Sequence, residues 1–347
     1  MITKLTLKNF RKFENIELPI TKQIVVIHGD NAKGKSSILE AIHIITNGTS
    51  PWATSDEYLH NKQEDKDKYT RIEIETEDNT YAFYKDGRKR IHQIDGSNTT
   101  PKNFFNKNSS TIFNPEQIEI LMISPSKRRD FLDDVIKEKN YEYNDILKKY
   151  KKVLRQRNAY LKKLSKLFYE KGVIARNDPQ LNFWSKEFIT LAEVIRKERE
   201  SLVEELKTKD FYLKYEIPEY ENGNIEESLE ESKKRDIATG RTNIGPHRDD
   251  WQVFNSENIK KFGSRGQKRL TIGKLIFQTQ EILSKELGYY PLLLLDDIAS
   301  ELDKGNTSKI FSKDTLDKQQ TFITIIDKND LPKEILNEAQ LIDLNKT

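Results

Sequence analysis

The chain has 347 residues, enough for a full core plus one appended or inserted unit. Its 35% hydrophobic and 33% charged residues suggest a charged, solvent-facing helical part, and a net charge of only +3 means that any basic surface must be local. The absence of cysteine excludes disulfides and thiolate metal sites, and no apolar run approaches the ~18 residues of a membrane span, so a soluble, cytoplasmic protein without a membrane partner is expected.

The start, Ile2-Thr3-Lys4-Leu5-Thr6-Leu7-Lys8-Asn9-Phe10, alternates apolar and polar residues as a half-buried strand does, and Glu14 to Leu18 reads as its return. A short apolar run, Ile24-Val25-Val26-Ile27, then leads into Gly29-Asp30-Asn31-Ala32-Lys33-Gly34-Lys35-Ser36. A helix-like run beginning at Ser37 follows. Strand, glycine-bearing loop and helix with the spacing G-x-x-x-x-G-K-S form a phosphate-binding loop. Its glycines let backbone N–H groups turn inward around an anion, and the helix N-terminus adds its positive end. Lys35 supplies a point charge for the β- and γ-phosphates of a nucleoside triphosphate, and Ser36 a hydroxyl for Mg²⁺.

Residues 47–67 are polar and read as an irregular loop. Residues 69–76 and 80–84 alternate around Glu77-Asp78-Asn79 as a hairpin, and Thr111-Ile112-Phe113 as a further short strand. From Ser126 to Lys209 the pattern is helical and highly charged. One seam runs through Leu147, Tyr150, Leu154, Leu161, Leu164 and Phe168, with Arg157 interrupting it. A second runs through Trp184, Phe188, Leu191, Ile195 and Leu202, after a break at Asn177-Asp178-Pro179. Two seams joined by a loop predict an antiparallel helical hairpin of coiled-coil type, each arm ~40 Å long. A helical bundle packed back on the core is the alternative. The polar stretch from Asp236 to Asp250 reads as the return to the first domain, giving a head of residues 1–125 and 236–347 around an arm of 126–235.

Tyr290-Pro291 leads into Leu292-Leu293-Leu294-Leu295-Asp296-Asp297, a strand buried on both faces whose carboxylates emerge at its C-terminal end. Asp296 is placed there to hold Mg²⁺, and Asp297 to orient or deprotonate the attacking water. Ser264, Gly266 and Gln267 open another helix-like segment, either as a second anion site or, for Ser264, as an ordinary helix cap. Three basic clusters, Lys85 to Arg90, Lys127-Arg128-Arg129 and Lys148 to Lys152, are candidates for contacts to a nucleic-acid backbone or are solvated faces. Arg128 and Arg129 could instead form structural ion pairs. The five histidines show no metal-ligand spacing, and His247 is expected to be a hydrogen-bonding structural residue.

The order phosphate loop, Ser264-Arg265-Gly266-Gln267, Leu292 to Asp297 and Ser300-Glu301-Leu302-Asp303 resembles the ABC-type ATPase heads of the SMC and Rad50 group. Four further stretches narrow the resemblance to the RecF family: Leu5-x-Leu7-x-Asn9-Phe10-Arg11, Ser124-Pro125-x-x-x-Arg128-Arg129-x-Phe131-Leu132-Asp133, Leu154-x-Gln156-Arg157-Asn158 and Gly245-Pro246-His247-Arg248-Asp249-Asp250. The resemblance implies an α/β, ABC-type (P-loop) ATPase head with an inserted helical, short coiled-coil arm. It implies ATP and Mg²⁺ as cofactors, ATP-dependent homodimerisation, slow hydrolysis, and binding to DNA at single-strand/double-strand junctions. It further implies action at gaps or stalled forks with RecO and RecR, favouring RecA loading. Gly29 to Ser37 would contact the nucleotide, with Lys35, Asp296, Asp297 and Ser264 catalytic and Ser36 and Asp296 on the metal. Ser264, Gly266 and Gln267 would read the γ-phosphate held by the other subunit, with Asp303 at the same seam. The family's Q-loop position falls on either Glu116 or Gln117, and the switch histidine of ABC enzymes is missing from residues 321–327. Another SMC/Rad50-like ABC ATPase, such as an anti-phage or nuclease-associated head, is the competing expectation. Nuclease heads of that kind need a carboxylate-rich metal domain, for which the remainder after Asp303 leaves no room.

Overall fold

In the computed structural model the described residues are 1–52, 69–86, 89–105, 109–114, 124–172, 177–218, 224–297, 311 and 313–346. Most of the 47–67 loop, Gly87, Arg88, Glu116, Gln117 and residues 300–303 lie outside them. The chain divides into two units, residues 1–118 with 265–347, and residues 119–264.

In the first unit, β1 (Ile2–Phe10) and β2 (Phe13–Pro19) pair antiparallel, with Leu7 opposite Ile16. The tight turn puts Asn9 and Arg11 at positive φ, 50° and 53°. Next come β3 (Ile24–His28) and α1 (Lys35–Asn47), then β4 (Thr70–Thr76), β5 (Thr80–Asp86), β6 (Lys89–Ile94) and β7 (Ser97–Thr99). Strands β2-β1-β4-β5-β6-β7 make a six-stranded antiparallel sheet. A second sheet is parallel throughout. It contains β3, β8 (Ser110–Phe113), β12 (Leu292–Asp296), β13 (Thr321–Ile325) and β14 (Gln340–Asp343), in the order β14-β3-β13-β12-β8.

The sequence of α1 explains how the two sheets combine. Ile38, Leu39, Ala41, Ile42, Ile44 and Ile45 are all buried, so the helix is apolar over most of its circumference and must be covered on opposite sides. It packs in one continuous core with Leu5, Leu7, Ile72 and Ile74 of the antiparallel sheet and Val25, Leu294 and Phe322 of the parallel one. All five residues of β3 are buried, as are all five of β13, which is the burial expected of central parallel strands.

The second unit contains α2 (Pro125–Lys139), α3 (Tyr141–Lys171), α4 (Pro179–Glu205), β9 (Tyr212–Glu216), α5 (Ile225–Thr239), β10 (Asp250–Asn255) and β11 (Glu257–Asn258). The break read at Asn177-Asp178-Pro179 is a helix start. The Asp178 carboxylate accepts from the N–H groups of Gln180 and Leu181, and Pro179 occupies the first turn, where no N–H is needed. At 31 and 27 residues, α3 and α4 are ~46 and ~40 Å long. They form the antiparallel hairpin, burying Leu147, Tyr150 and Leu161 on one helix and Phe188, Ile195 and Leu202 on the other, with the Tyr150 and Phe188 rings 5.3 Å apart. A third helix, α5, covers its open side: Ile237 joins Leu161 and Leu181 in one cluster. The arm is therefore a short bundle rather than two bare helices.

The expected return to the head at Asp236 does not match this division, because residues 236–264 stay with the helices. The reason is a set of buried ion pairs. Arg157 donates to Asp236 at 2.8 Å, Arg196 to Asp249 through two 2.8 Å bonds, and Arg128 to Asp250 at 2.6 and 2.7 Å. The three-stranded antiparallel sheet β11-β10-β9 was also unforeseen, although Phe211 to Tyr215 alternate buried and more exposed as a strand should.

Candidate nucleotide site

The loop between β3 and α1 is built on backbone conformations that few side chains tolerate. Gly34 sits at φ 93° and Ala32 at φ 62°. The Lys35 side chain, only 8% exposed, folds back so that Nζ donates to the carbonyl oxygens of Gly29 (2.7 Å) and Asp30 (3.0 Å). The loop is thus wrapped around an ammonium. From outside, Lys12 Nζ donates to the Ala32 carbonyl at 3.0 Å, and the Asp30 N–H donates to Asn345 Oδ1 at 3.1 Å. Burial, and after it the neighbouring Lys33, hold the Lys12 ammonium below its ordinary pKa. Gly34 caps α1 without a side-chain hydrogen bond, and no acidic residue stands in the first turn. Uncapped N–H groups, the helix dipole and converging cations all favour an anion here.

Glycine at position 34 is required twice over. A Cβ there would come within 2.6 Å of Cζ of the Phe13 ring, and the positive φ would strain any L side chain. Gly34→Ala is expected to cost on the order of 2 kcal/mol, measured by denaturant unfolding, and to weaken nucleotide binding with it. Unchanged stability and affinity would mean that the loop tolerates other conformations.

At the C-terminal edge of the parallel sheet, Asp296 Oδ1 accepts from Ser36 Oγ at 2.9 Å and from Thr324 Oγ1 at 2.6 Å. The pairing of β12 with β13 puts Asp296 directly beside Thr324, which sequence reasoning missed; its only signal was a polar residue set between Ile323 and Ile325. Asp297 follows at φ 50°, its N–H donating to Thr324 Oγ1 (3.0 Å) and the Thr324 carbonyl (3.2 Å). A non-glycine residue held in the left-handed region at the end of a central strand is a local strain of the kind that accompanies functional positions. A hydroxyl and a carboxylate are hard oxygen donors suited to Mg²⁺, which takes few protein ligands and completes its shell with phosphate and water. Ser36 and Asp296 therefore fit that cation.

Ser264 immediately precedes α6 (Arg265–Leu287), and Gly266 and Gln267 lie in its first turn. Asp303, Glu116 and Gln117 lie outside the described residues. The structure thus brings Lys35, Ser36, Asp296 and Asp297 to one sheet edge and gathers Ser264, Gly266 and Gln267 at one helix start.

The other candidates resolve as follows. His247 Nε2 lies 3.1 Å from the Thr242 carbonyl, which can only accept, so Nδ1 accepts from the Tyr150 hydroxyl at 2.8 Å. Burial lowers its pKa to about 4, so it is a neutral, structural histidine. Arg128 is spent on Asp250, and Arg129 donates to the Asp249 carbonyl at 2.7 Å, leaving Lys127 as the exposed member of that cluster. Lys85 is 5% exposed and is not a surface contact, whereas Lys148, Lys149, Lys151 and Lys152 are exposed.

Residues 1–341 match the family described as RecF/RecN/SMC N terminal domain. The DNA replication and repair protein RecF of Clostridium kluyveri is 34% identical, over 99% of this chain and 98% of its own length. Its counterpart from Natranaerobius thermophilus is 31% identical, over 96% and 93%. A solved structure described as the recombination mediator protein RecF-ATPrS in the RecFOR pathway has a TM-score of 0.78 at 27% identity, covering 96% of this chain and 94% of that one. An Smc head bound to the C-winged helix domain of ScpA shares the fold, with a TM-score of 0.52 at 16% identity over 99% and 94%. The architecture is that of an ABC-type ATPase head carrying a helical insertion.

Proposed function

Because the chain belongs to the RecF family of DNA replication and repair proteins, we propose that it is an ATP-gated, DNA-binding repair factor that dimerises on ATP and hydrolyses it slowly. It would act in the cytoplasm at single-strand gaps or stalled forks with RecO and RecR, favouring RecA loading. The observation that carries this reading is the meeting of Lys35, Ser36, Asp296 and Asp297 at the C-terminal edge of the parallel sheet, beside an uncapped helix N-terminus. The phosphates of ATP would lie over the loop from Gly29 to Ser37, with Lys35 turning from its own carbonyls to them. Ser36 and Asp296 would hold Mg²⁺, which neutralises charge on the β- and γ-phosphates. Asp297 would orient the attacking water. After β13, where ABC enzymes carry a histidine, stand Ile326, 45% exposed, and Asp327, which caps a short turn by accepting from the Asn329 N–H at 2.9 Å. Without an imidazole at that place, slow turnover is the natural expectation.

Ser264, Gly266 and Gln267 would complete the site on a second copy, so that two-fold symmetry generates two equivalent sites and nucleotide favours the dimer by its differential affinity for that state. The test measures solution mass with and without Mg·ATP, then with gapped DNA, on the parent and on Lys35→Ala and Ser264→Arg proteins. Each variant alone should be nearly inactive. Mixed, they should recover turnover in roughly a quarter of the sites, because one site of each mixed dimer is whole. DNA binding should strengthen with Mg·ATP and weaken steeply with salt. No dimer and no recovered turnover would mean that the site is built within one chain.

A further inference from the structure

The first helix of the hairpin, α3, sorts its charges in a way that packing does not require. Between Ile146 and Tyr169 there are nine Lys or Arg residues and no Asp or Glu. One of the nine, Arg157, is buried on Asp236; the other eight are exposed. Lys148, Lys152, Arg155, Lys162 and Lys166 fall within an arc of about 80° at 100° per residue, and Ala159 occupies the one vacant place in the row. That arc is opposite the buried face formed by Tyr150, Val153, Arg157 and Leu161. The row is straight and ~27 Å long.

Only the ends of the row meet carboxylates. Lys148 lies 3.3 Å from Asp145, and Lys166 3.8 Å from Glu170, both exposed pairs of small energetic weight. Among the described residues no carboxylate pairs with Lys149, Lys151, Lys152, Arg155, Lys162 or Lys163. The opposite arm, α4, exposes Glu187, Glu193, Glu200, Glu204 and Glu205 against Lys186 and Lys197, so the exposed cations of the hairpin are concentrated on α3. Like charges three and four residues apart, as in Lys148/Lys152, Lys152/Arg155 and Lys162/Lys166, each destabilise a helix by a few tenths of a kcal/mol. A face meant only for solubility would intersperse both signs and avoid that cost.

We infer that this row on α3 is a track for the phosphate backbone of duplex DNA. The inference rests on the DNA-binding reading above and deepens it by naming the surface. A duplex presents a charge per ~1.7 Å of axis, so ~27 Å of it offers about 16 phosphates to a row of five cations with three flanking ones. The row itself carries no aromatic or long aliphatic side chain, which disfavours both an apolar protein anchor and insertion into a membrane surface. Such a track contacts phosphates without reading bases, so it positions the arm on DNA of any sequence.

The test titrates a fluorescently labelled duplex oligonucleotide against the full-length protein over a range of salt. A variant combining Lys148→Gln, Lys152→Gln, Arg155→Gln and Lys162→Gln is compared with the parent. The control variant combines Lys22→Gln, Lys102→Gln, Lys285→Gln and Lys333→Gln and removes the same charge elsewhere. Loss of four phosphate contacts should flatten the slope of log affinity against log salt by about 3 to 4 and cut affinity at low salt at least tenfold. The control should leave the slope within about one unit of the parent. Thermal unfolding reports whether the variant folds. Should it not, the pair Lys152→Gln and Arg155→Gln is expected to flatten the slope by about 2. A parent that binds DNA steeply beside an α3 variant with the same slope and affinity overturns the track and leaves the DNA reading intact. Loss of self-association with unchanged DNA affinity overturns it too, in favour of a second copy's α4. A parent that binds no DNA under any nucleotide condition removes both readings together.

Discussion

Lys35→Ala is expected to weaken ATP binding roughly 100-fold, whereas Asp297→Asn should hold ATP and turn it over at least ~100-fold more slowly. The two residues sit at the same edge and act at different moments. The Lys35 ammonium, now donating to the Gly29 and Asp30 carbonyls, is the one buried cation inside the loop among the described residues. Its charge-assisted contacts to ground-state phosphates are worth about 1.5–3 kcal/mol each, and its removal also unbraces the loop it holds. Asp297 acts on water in the transition state, where a lost interaction lowers turnover without lowering affinity. Asparagine tolerates the left-handed conformation that Asp297 adopts at φ 50°, so the substitution changes charge with little change in backbone. Removing a negative charge beside bound phosphates should, if anything, tighten ATP and stabilise the dimer. Fluorescent-nucleotide titration and phosphate release separate the two effects. Parental turnover in Asp297→Asn would remove that residue from the mechanism.

The largest stability effect should come from the arm. Asp236→Ala is expected to destabilise the second unit by about 3–5 kcal/mol, because it leaves the Arg157 guanidinium buried without its counter-charge. Both partners are at most 1% exposed, and Arg157 also donates to Thr242 Oγ1 at 2.6 Å. The Asp236 carboxylate in turn accepts from the N–H and side-chain amide of Asn243 at 3.0 and 2.9 Å, so the substitution also removes the acceptor of those two bonds. Replacing both charges, as Arg157→Leu with Asp236→Leu, should cost less than the single change, since no lone charge is then left in the interior. Denaturant unfolding of the three variants is the measurement. A single variant within about 1 kcal/mol of the parent would show that water reaches the pair.

What the sequence determined by itself was local and periodic. The strand, loop and helix from Ile24 to Asn47 are contiguous, so each residue's role follows from neighbours a few positions away. The alternation in β1 and the three- and four-residue steps of the arm likewise report which face is apolar, whatever covers it. Tertiary structure alone decided the partners. Thr324 reaches Asp296 across 28 positions only because β12 and β13 pair in that register. Arg157, an interruption in the seam when read as a string, is a buried ion whose partner comes 79 residues later. That bond is one of three ion pairs that tie residues 236–264 to the helices, where composition alone sent them back to the head. Lys85 and Lys152 look alike in sequence; one is buried and the other exposed. Charge and hydropathy patterns record how a residue prefers to be solvated, but a buried ion's energy depends on a counter-charge within a few ångströms, and chain topology, not local sequence, sets which residues come that close.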